Sequence, residues 1–484
     1  MKLPPNRTKI VCTIGPSSQS RDVMEKMLMA GMSVARLNFS HGDFTQHGSV
    51  IADLREAARA TGRRLAIMAD LPGPKMRIGQ LSKEPVNLKP GDLFTLTTDE
   101  IMGDASKVSV TFSTLPQAVK TGDTLFLNDG LIQLEVISVS GNEVRCHVVV
   151  GGELRSRKGI NLPGIDLGIS AFTDHDYNCM KFALEHGVDA VSQSFVENAS
   201  DVESVREAAA TLGYHPFIIA KIERSGALKH IDEIIDTADG IMIARGDLGV
   251  EIPVEQIAVV QKQLMRKANM CAKPVITATQ MLESMTSNRR PTRAEATDVA
   301  NAVLDGTDCI MLSGESAMGS FPVESVEMLS KIAAAIEPYR SPVSAKEMFK
   351  DMDVKDKLPP ARLIDLSVET VLEYTSPAAV FVPTHSGVTA RSIVRFRLPV
   401  WIIAISSLET TCQTLQFSHG IFPVNEQTHP DNWNNYIDTW VRAHELQGSV
   451  VLLTEGPSAK HPDASNRMEI ITLDPREDMI VNKC

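Results

Sequence analysis

The sequence predicts a (β/α)₈ TIM barrel with a small β-barrel lid domain inserted into it and an α/β domain after it. Three observations predict this. Short apolar runs alternate with helix-periodic stretches until eight strands have been laid down. The alternation breaks once, after the third strand, for a long passage of β-type text. A polar stretch after residue 340 then separates the barrel from a new set of apolar runs.

The elements follow in order. Residues 9–14 read as a strand, 23–30 as a helix, 34–39 as a strand, 50–60 as a helix and 65–69 as a strand. The alternation resumes with a helix at 177–186 and a strand at 190–195. Further strands fall at 217–222, 240–244, 274–279 and 309–312, and a helix at 323–336 closes the unit. Strands joined by helices form parallel sheets. An open doubly wound sheet is the alternative, but no G-x-G-x-x-G follows the first strand. Between Pro72 and Pro163 lie short β runs at 93–97, 107–112 and 144–149, separated by turn signals such as Lys89-Pro90-Gly91-Asp92. A stretch of that length is not an unstructured loop in a compact domain. It reads as an all-β insertion with Pro/Gly hinges at Leu71-Pro72-Gly73-Pro74 and Leu162-Pro163-Gly164. An insertion there sits over the C-terminal mouth of the barrel, where a lid can close on substrate. The expected domains are 1–71 with 164–340 (barrel), 72–163 (lid), 341–358 (linker) and 359–484 (α/β, with strands at 379–382, 400–405 and 450–454).

Composition excludes several function classes. The net charge of −12 argues against general nucleic-acid binding. Seven cysteines, scattered and without a C-x-x-C pair, fit reduced thiols in a cytoplasmic compartment. No apolar run near the N-terminus is long enough for a signal sequence or a membrane span.

Polar residues gather where the apolar strands end. Lys221-Ile222-Glu223 ends the fifth strand, and Ala244-Arg245-Gly246-Asp247 ends the sixth. Strand alternation places Lys221 with Glu223, and Arg245 with Asp247, on shared faces. Two hard carboxylates beside a cation suit Mg²⁺ and an anionic substrate. On the second strand Arg36, Asn38 and Ser40 share a face that leads to His41. Burying such groups unpaired costs several kcal/mol, and an oxyanion ligand would offset that cost. Asp70 ends the third strand, Thr277 and Thr279 share a face on the seventh, and Ser313-Gly314-Glu315 ends the eighth.

Thr8-Lys9-Ile10-Val11-Cys12-Thr13-Ile14-Gly15-Pro16-Ser17-Ser18 resembles the opening of pyruvate kinases. So do Val34-Ala35-Arg36-Leu37-Asn38-Phe39-Ser40-His41-Gly42, Lys158-Gly159-Ile160-Asn161-Leu162-Pro163-Gly164, Ala244-Arg245-Gly246-Asp247-Leu248-Gly249-Val250-Glu251 and Thr277-Ala278-Thr279-Gln280-Met281-Leu282-Glu283-Ser284-Met285. The resemblance covers barrel and lid, and is loose in the C-terminal third. It implies phosphoryl transfer from phosphoenolpyruvate to ADP, giving pyruvate and ATP. It implies Glu223 and Asp247 as ligands of Mg²⁺, with Mn²⁺ as an alternative ion. Lys221 would stand by the transferring phosphoryl group, Arg36 on the phosphate and Thr279 near the carbon that is protonated. Backbone around Arg245, Gly246 and Asp247 would hold the carboxylate. Asn38, His41, Arg77 and Lys158 would face ADP. The family resemblance also implies a homotetramer.

One motif departs from the family pattern. K⁺-dependent members carry Asp-Thr-Lys-Gly-Pro-Glu where this chain has Asp70-Leu71-Pro72-Gly73-Pro74-Lys75. The chain resembles a K⁺-independent branch, in which the Lys75 ammonium stands beside Asn38, Ser40 and Asp70 in place of the ion. Pro383-Thr384-His385-Ser386-Gly387-Val388-Thr389 resembles the family's effector-phosphate loop, with Thr384, Ser386 and Thr389 as ligands of a phosphorylated effector. A plain helix cap reads equally well there. The segment from Gly456-Pro457-Ser458 to Asn466-Arg467-Met468 departs from the family's Gly/Thr-rich effector loop. Two other functions compete: an aldol-type lyase working on pyruvate enolate, which needs no lid or Lys158, and a non-catalytic sensor, which has no need of Lys221 or Glu223.

Overall fold

The computed structural model describes residues 2–165, 168–341, 360–428, 430–456 and 466–473. Eight parallel strands close into a barrel in which each strand pairs with its neighbours in sequence, and the first pairs with the eighth. They are Lys9–Thr13, Met32–Asn38, Ala66–Asp70, Ala190–Gln193, Phe217–Ile222, Gly240–Ala244, Val275–Ala278 and Cys309–Leu312. The intervening helices are capped by their own sequences. Thr173, Asn198 and Thr292 each form a capping box with the acid three residues on, and Gly62 and Gly306 end helices in the left-handed region.

Two apolar layers hold the barrel. Ile10, Leu37, Ile67, Ile218, Ile241 and their like face the surrounding helices. Val11, Val34, Met68, Ile219, Met242 and Ile276 fill the interior. That interior cluster also contains Phe417, which comes from the C-terminal domain and stacks on Phe217 with ring centroids 5.4 Å apart. The C-terminal domain therefore plugs the N-terminal floor of the barrel.

The insertion forms a six-stranded sheet around Phe94, Leu96, Leu125, Leu134 and Val148. Bridges from Arg77 to Gly159 and from Ile78 to Val110 tie the two edges of that sheet together, so it wraps into a small barrel. The C-terminal domain opens with the helix Pro360–Tyr374 and holds a five-stranded sheet whose last strand, Arg467–Thr472, runs antiparallel. The expected linker at 341–358 lies outside the described residues apart from its first position. Among the described residues no helix is long and apolar enough to cross a membrane.

Candidate active site

Register decides which side chains enter the mouth. Counting two residues on from the interior positions Val11, Val34, Met68, Ala190 and Ile219 places Thr13, Arg36, Asp70, Ser192 and Lys221 on the inward side at the C-terminal strand ends. These side chains form one network. Asp70 Oδ2 accepts from Arg36 Nε at 2.8 Å and also from Arg36 Nη2, while Arg36 Nη1 donates to Thr13 Oγ1 at 2.9 Å. Asp70 Oδ1 accepts from Ser192 Oγ at 2.8 Å and lies 3.3 Å from Lys221 Nζ. Lys221 Nζ contacts Glu223 Oε1 at 2.7 Å and donates to Ser194 Oγ at 2.6 Å. The Phe195 amide donates to Glu223 Oε2 at 2.8 Å.

Charge coupling sets the protonation states. Burial alone would raise the Asp70 carboxyl, but Arg36 and Lys221 outweigh it and hold the pKa at about 2. Burial likewise opposes the Lys221 ammonium, yet Asp70 and Glu223 keep it above its usual value. Lys221 is thus a fixed cation. Asp247 opens to the cleft on one side; the protein wall behind it and then Glu223 push its carboxyl above the usual range. A carboxyl raised by burial and a neighbouring carboxylate fits a divalent, oxygen-seeking cation, which would relieve it. Among the described residues no group of three or more His, Cys, Asp or Glu is placed to hold a metal alone. An ion between Glu223 and Asp247 would therefore take its other ligands from substrate and water.

The structure corrects three sequence expectations. Arg245 and Asp247 do not share a face by strand alternation, because the strand ends at Ala244 and a helix, Arg245–Glu251, begins at once. Arg245 turns away to Asp298 (2.7 Å) and to the carbonyl of Thr279 (2.8 Å). Thr277 does not join Thr279 in the pocket. Its inward neighbours in sequence are Ile276 and Ala278, and its buried hydroxyl meets Thr307 Oγ1 at 2.9 Å. Glu315 is fully buried and accepts from the Leu282 and Ser313 amides at 3.0 and 2.8 Å, so it caps backbone instead of lining the mouth. Thr279 lies against the start of the Arg245–Glu251 helix. It adopts φ 70°, an outlier for a β-branched residue, and its Oγ1 accepts from the Gly246 amide at 2.7 Å and donates to Ala278 O at 2.6 Å.

The family model described as pyruvate kinase, barrel domain, matches residues 5–326, and the one for the pyruvate kinase alpha/beta domain matches residues 363–471. The chain is 46% identical to a pyruvate kinase of Thermococcus litoralis, over 98% of this chain and 100% of that one. It is 41% identical to a pyruvate kinase of Geobacillus stearothermophilus, over 96% of this chain and 80% of that one. A crystal structure of a pyruvate kinase from Cryptosporidium parvum superposes with a TM-score of 0.89 at 35% identity, covering 97% and 96% of the two chains. The chain belongs to the pyruvate kinase family. It is an enzyme of that family, a phosphotransferase.

The remaining predicted residues fall in two places. Lys75 Nζ donates to Ser40 Oγ at 2.6 Å, and the Ser40 amide donates to Asn38 Oδ1 at 3.1 Å. Much of the Lys75 stem is open to solvent, but desolvation of its ammonium, with Lys221 and Arg77 nearby, lowers its pKa. His41 is lowered as well, by burial and then by Lys75, Arg77 and Arg36. Arg77 and Lys158 lie on adjoining segments at the base of the insertion, where the Ile78 amide donates to Lys158 O at 2.9 Å. Far from these, Thr384 Oγ1 accepts from the Gly387 amide at 3.0 Å in the turn between Val380–Pro383 and the short helix Val388–Val394. Ser386 O accepts from Arg391 Nη2 at 2.9 Å, and Thr389 sits in the first turn of that helix. Most of the later effector segment, residues 457–465, lies outside the described residues.

Sequence reasoning missed Ser192 and Ser194, which brace Asp70 and Lys221, and Thr13, which braces Arg36. The signal was present. Ser192-Gln193-Ser194 is a polar break at the end of an apolar strand, at the same depth as Lys221 on the next strand.

Proposed function

We propose that the site transfers the phosphoryl group of phosphoenolpyruvate to ADP in a Mg²⁺-dependent reaction without K⁺, yielding pyruvate and ATP. The observation that carries this reading is the buried Lys221 ammonium, held by Glu223, Asp70 and Ser194 beside the Glu223–Asp247 pair. The reactants bear several negative charges each, so catalysis is positioning and charge neutralisation. Lys221 presents a fixed positive charge to the phosphoryl group in flight. Arg36, locked by Asp70 and Thr13, directs its remaining N–H groups to the phosphate. Bound between Glu223 and Asp247, Mg²⁺ would supply Lewis-acid charge to the enolate, carboxylate and phosphoryl oxygens. The amides at the start of Arg245–Glu251 that Thr279 leaves free orient the carboxylate, while Arg245 itself anchors that turn from behind. Thr279 Oγ1, held by the Gly246 amide, places a hydroxyl where the enolate carbon takes its proton. Asn38, His41, Arg77 and Lys158 receive ADP, and closure of the lid excludes the water that would otherwise accept the phosphoryl group.

In the same reading Lys75 replaces the monovalent ion beside Ser40, Asn38 and Asp70. Residues 72–163 act as the lid and residues 359–484 as a domain able to hold a phosphorylated effector at Thr384, Ser386 and Thr389. The enzyme assembles as a homotetramer in the cytoplasm. The test is pyruvate formation from phosphoenolpyruvate, ADP and Mg²⁺ in buffer free of K⁺, Na⁺ and NH₄⁺, with KCl added afterwards. Full activity before KCl is expected. Activity only after KCl overturns the role of Lys75, and none in either condition overturns the reaction.

A further inference from the structure

The lid joins the barrel through two chain crossings, and both are bonded to the strand ends that carry the reacting groups. On the way out, the Leu71 amide donates to Ser192 O at 2.9 Å, and Ser194 Oγ donates to Leu71 O at 2.7 Å. The return crossing, residues 162–165, is held by the two residues that directly follow Glu223. Arg224 Nη2 donates to Ile165 O at 2.6 Å. The Gly164 amide donates to Ser225 Oγ at 3.1 Å, and Ser225 Oγ donates in turn to Glu251 Oε2 at 3.2 Å. The other arm of Arg224 pairs with Glu197, just beyond the fourth strand.

Alternation along the fifth strand turns Lys221 and Glu223 inward, so Arg224 faces out of the pocket. It is only 7% exposed. A planar guanidinium gripped on two sides is a rigid bracket, which a flexible ammonium is not. One peptide bond separates this bracket from Glu223. The position of the lid's return crossing and that of the carboxylate are thereby tied together.

We propose that Arg224, with Glu197 and Ser225, is a clasp that fixes the return crossing of the lid against Glu223, and so sets the lid-borne Arg77 and Lys158 relative to the groups on the barrel. Arg224 is a positioning residue, since it faces away from the substrates. The inference rests on the phosphoryl-transfer reading above, and it implies an asymmetry. The phosphoenolpyruvate groups Arg36, Lys221, Glu223, Asp247 and Thr279 all belong to the barrel, whereas ADP also depends on the lid. Loosening the clasp penalises ADP.

The test compares the wild type with Arg224→Met, Arg224→Lys and Ser225→Ala. Without any substrate, amide hydrogen exchange over residues 158–165 is expected to quicken about tenfold in Arg224→Met, for loss of one hydrogen bond from a charged donor. In turnover, KM for ADP is expected to rise about tenfold while KM for phosphoenolpyruvate stays within about twofold. Arg224→Lys recovers part of the effect, because one ammonium serves one partner. Unchanged exchange, or an equal rise in both KM values, overturns the clasp. Should Arg224→Met fail to fold, with Glu197 left unpaired, Ser225→Ala decides. It removes the acceptor of the Gly164 amide and one of the two Ser225 donors to Glu251 while leaving Arg224 in place, so faster exchange and a raised KM for ADP support the clasp, and no change in either overturns it. Exchange is read without turnover. A wild type inactive toward phosphoenolpyruvate and ADP therefore sinks the reaction while leaving the clasp to stand or fall on exchange alone.

Discussion

The two ends of the barrel bury charge to opposite effect. At the floor, Asp308 takes four donors: Arg397 Nη1 (2.7 Å) and the His419 amide (2.9 Å) on one oxygen, Arg397 Nη2 (2.7 Å) and the Val275 amide (3.0 Å) on the other. A carboxylate has about four lone-pair sites, so Asp308 is saturated. Glu337 is bound in the same way by the amides of Arg7 and Thr8 and by the Thr8 hydroxyl. At the mouth, Glu223 takes two donors, Lys221 and the Phe195 amide, and keeps capacity for a further ligand. Saturated Asp308 joins two domains. At the mouth Asp70 is filled as well, by Arg36, Ser192 and Lys221, and it is Glu223 that keeps room to bind. The apolar parts differ likewise: Phe417 fills the floor, while the inward residues at the mouth are Arg36, Asp70 and Lys221.

This contrast can be broken from either end. The largest expected effect is at the floor. Phe417→Ala should cost about 3–5 kcal/mol of stability by emptying the plug of the barrel, read as an earlier denaturant midpoint, while KM values of the folded fraction stay near wild type. A variant as stable as the wild type would show that the plug is idle. Next, Lys221→Met should lower kcat by roughly 10²–10³ while calorimetry still detects Mg²⁺-dependent phosphoenolpyruvate binding. Retention of more than about a tenth of turnover would remove Lys221 from the transfer step. A smaller effect is expected for Lys75→Met. Salt-free activity should fall about tenfold and recover with KCl, as the ion takes the vacated position. Equal loss with and without KCl would mean that Lys75 does not stand in for it.

The remaining effect, on stability alone, concerns pH at the floor. Lys9 donates to Ile421 O at 2.7 Å, and its burial lowers the pKa from 10.5 to about 8, against the opposing pull of Cys309 and Glu337. Between those values the unfolded chain binds more protons than the folded one, so this residue's contribution to stability rises with pH across the window and is flat below it. The gain across the whole window is on the order of 3 kcal/mol. It is measured as the difference in denaturant midpoint between wild type and Lys9→Met at pH 7.5, 9 and 10 (about the span of that titration). A constant difference would mean that Lys9 titrates alike in both states.

Much of this was legible in the residues. Apolar runs of strand length, separated by helical periods and turn residues, specify the eight strands, because burial patterns repeat with the local geometry of the chain. The same alternation put Arg36, Lys221 and Glu223 in one pocket, since each lies on or directly beyond a strand whose period is two. It failed where the local geometry changed. Arg245 and Thr279 fall at a strand-to-helix switch and at a left-handed residue, and a period carried through either gives the wrong face.

By itself, then, the sequence determined the barrel, the α/β domain after it and the family, because each is written in short-range periodicity and motif. Only the tertiary structure decided which charges are saturated. It turned Glu315 into a backbone cap, enlisted Ser192 and Ser194 as braces, seated Phe417 in the floor and bound Arg224 to the insertion's return crossing. The physical reason is that a side chain's hydrogen-bond partners come from segments far away in the chain, and no local period records which of its lone pairs those segments will occupy.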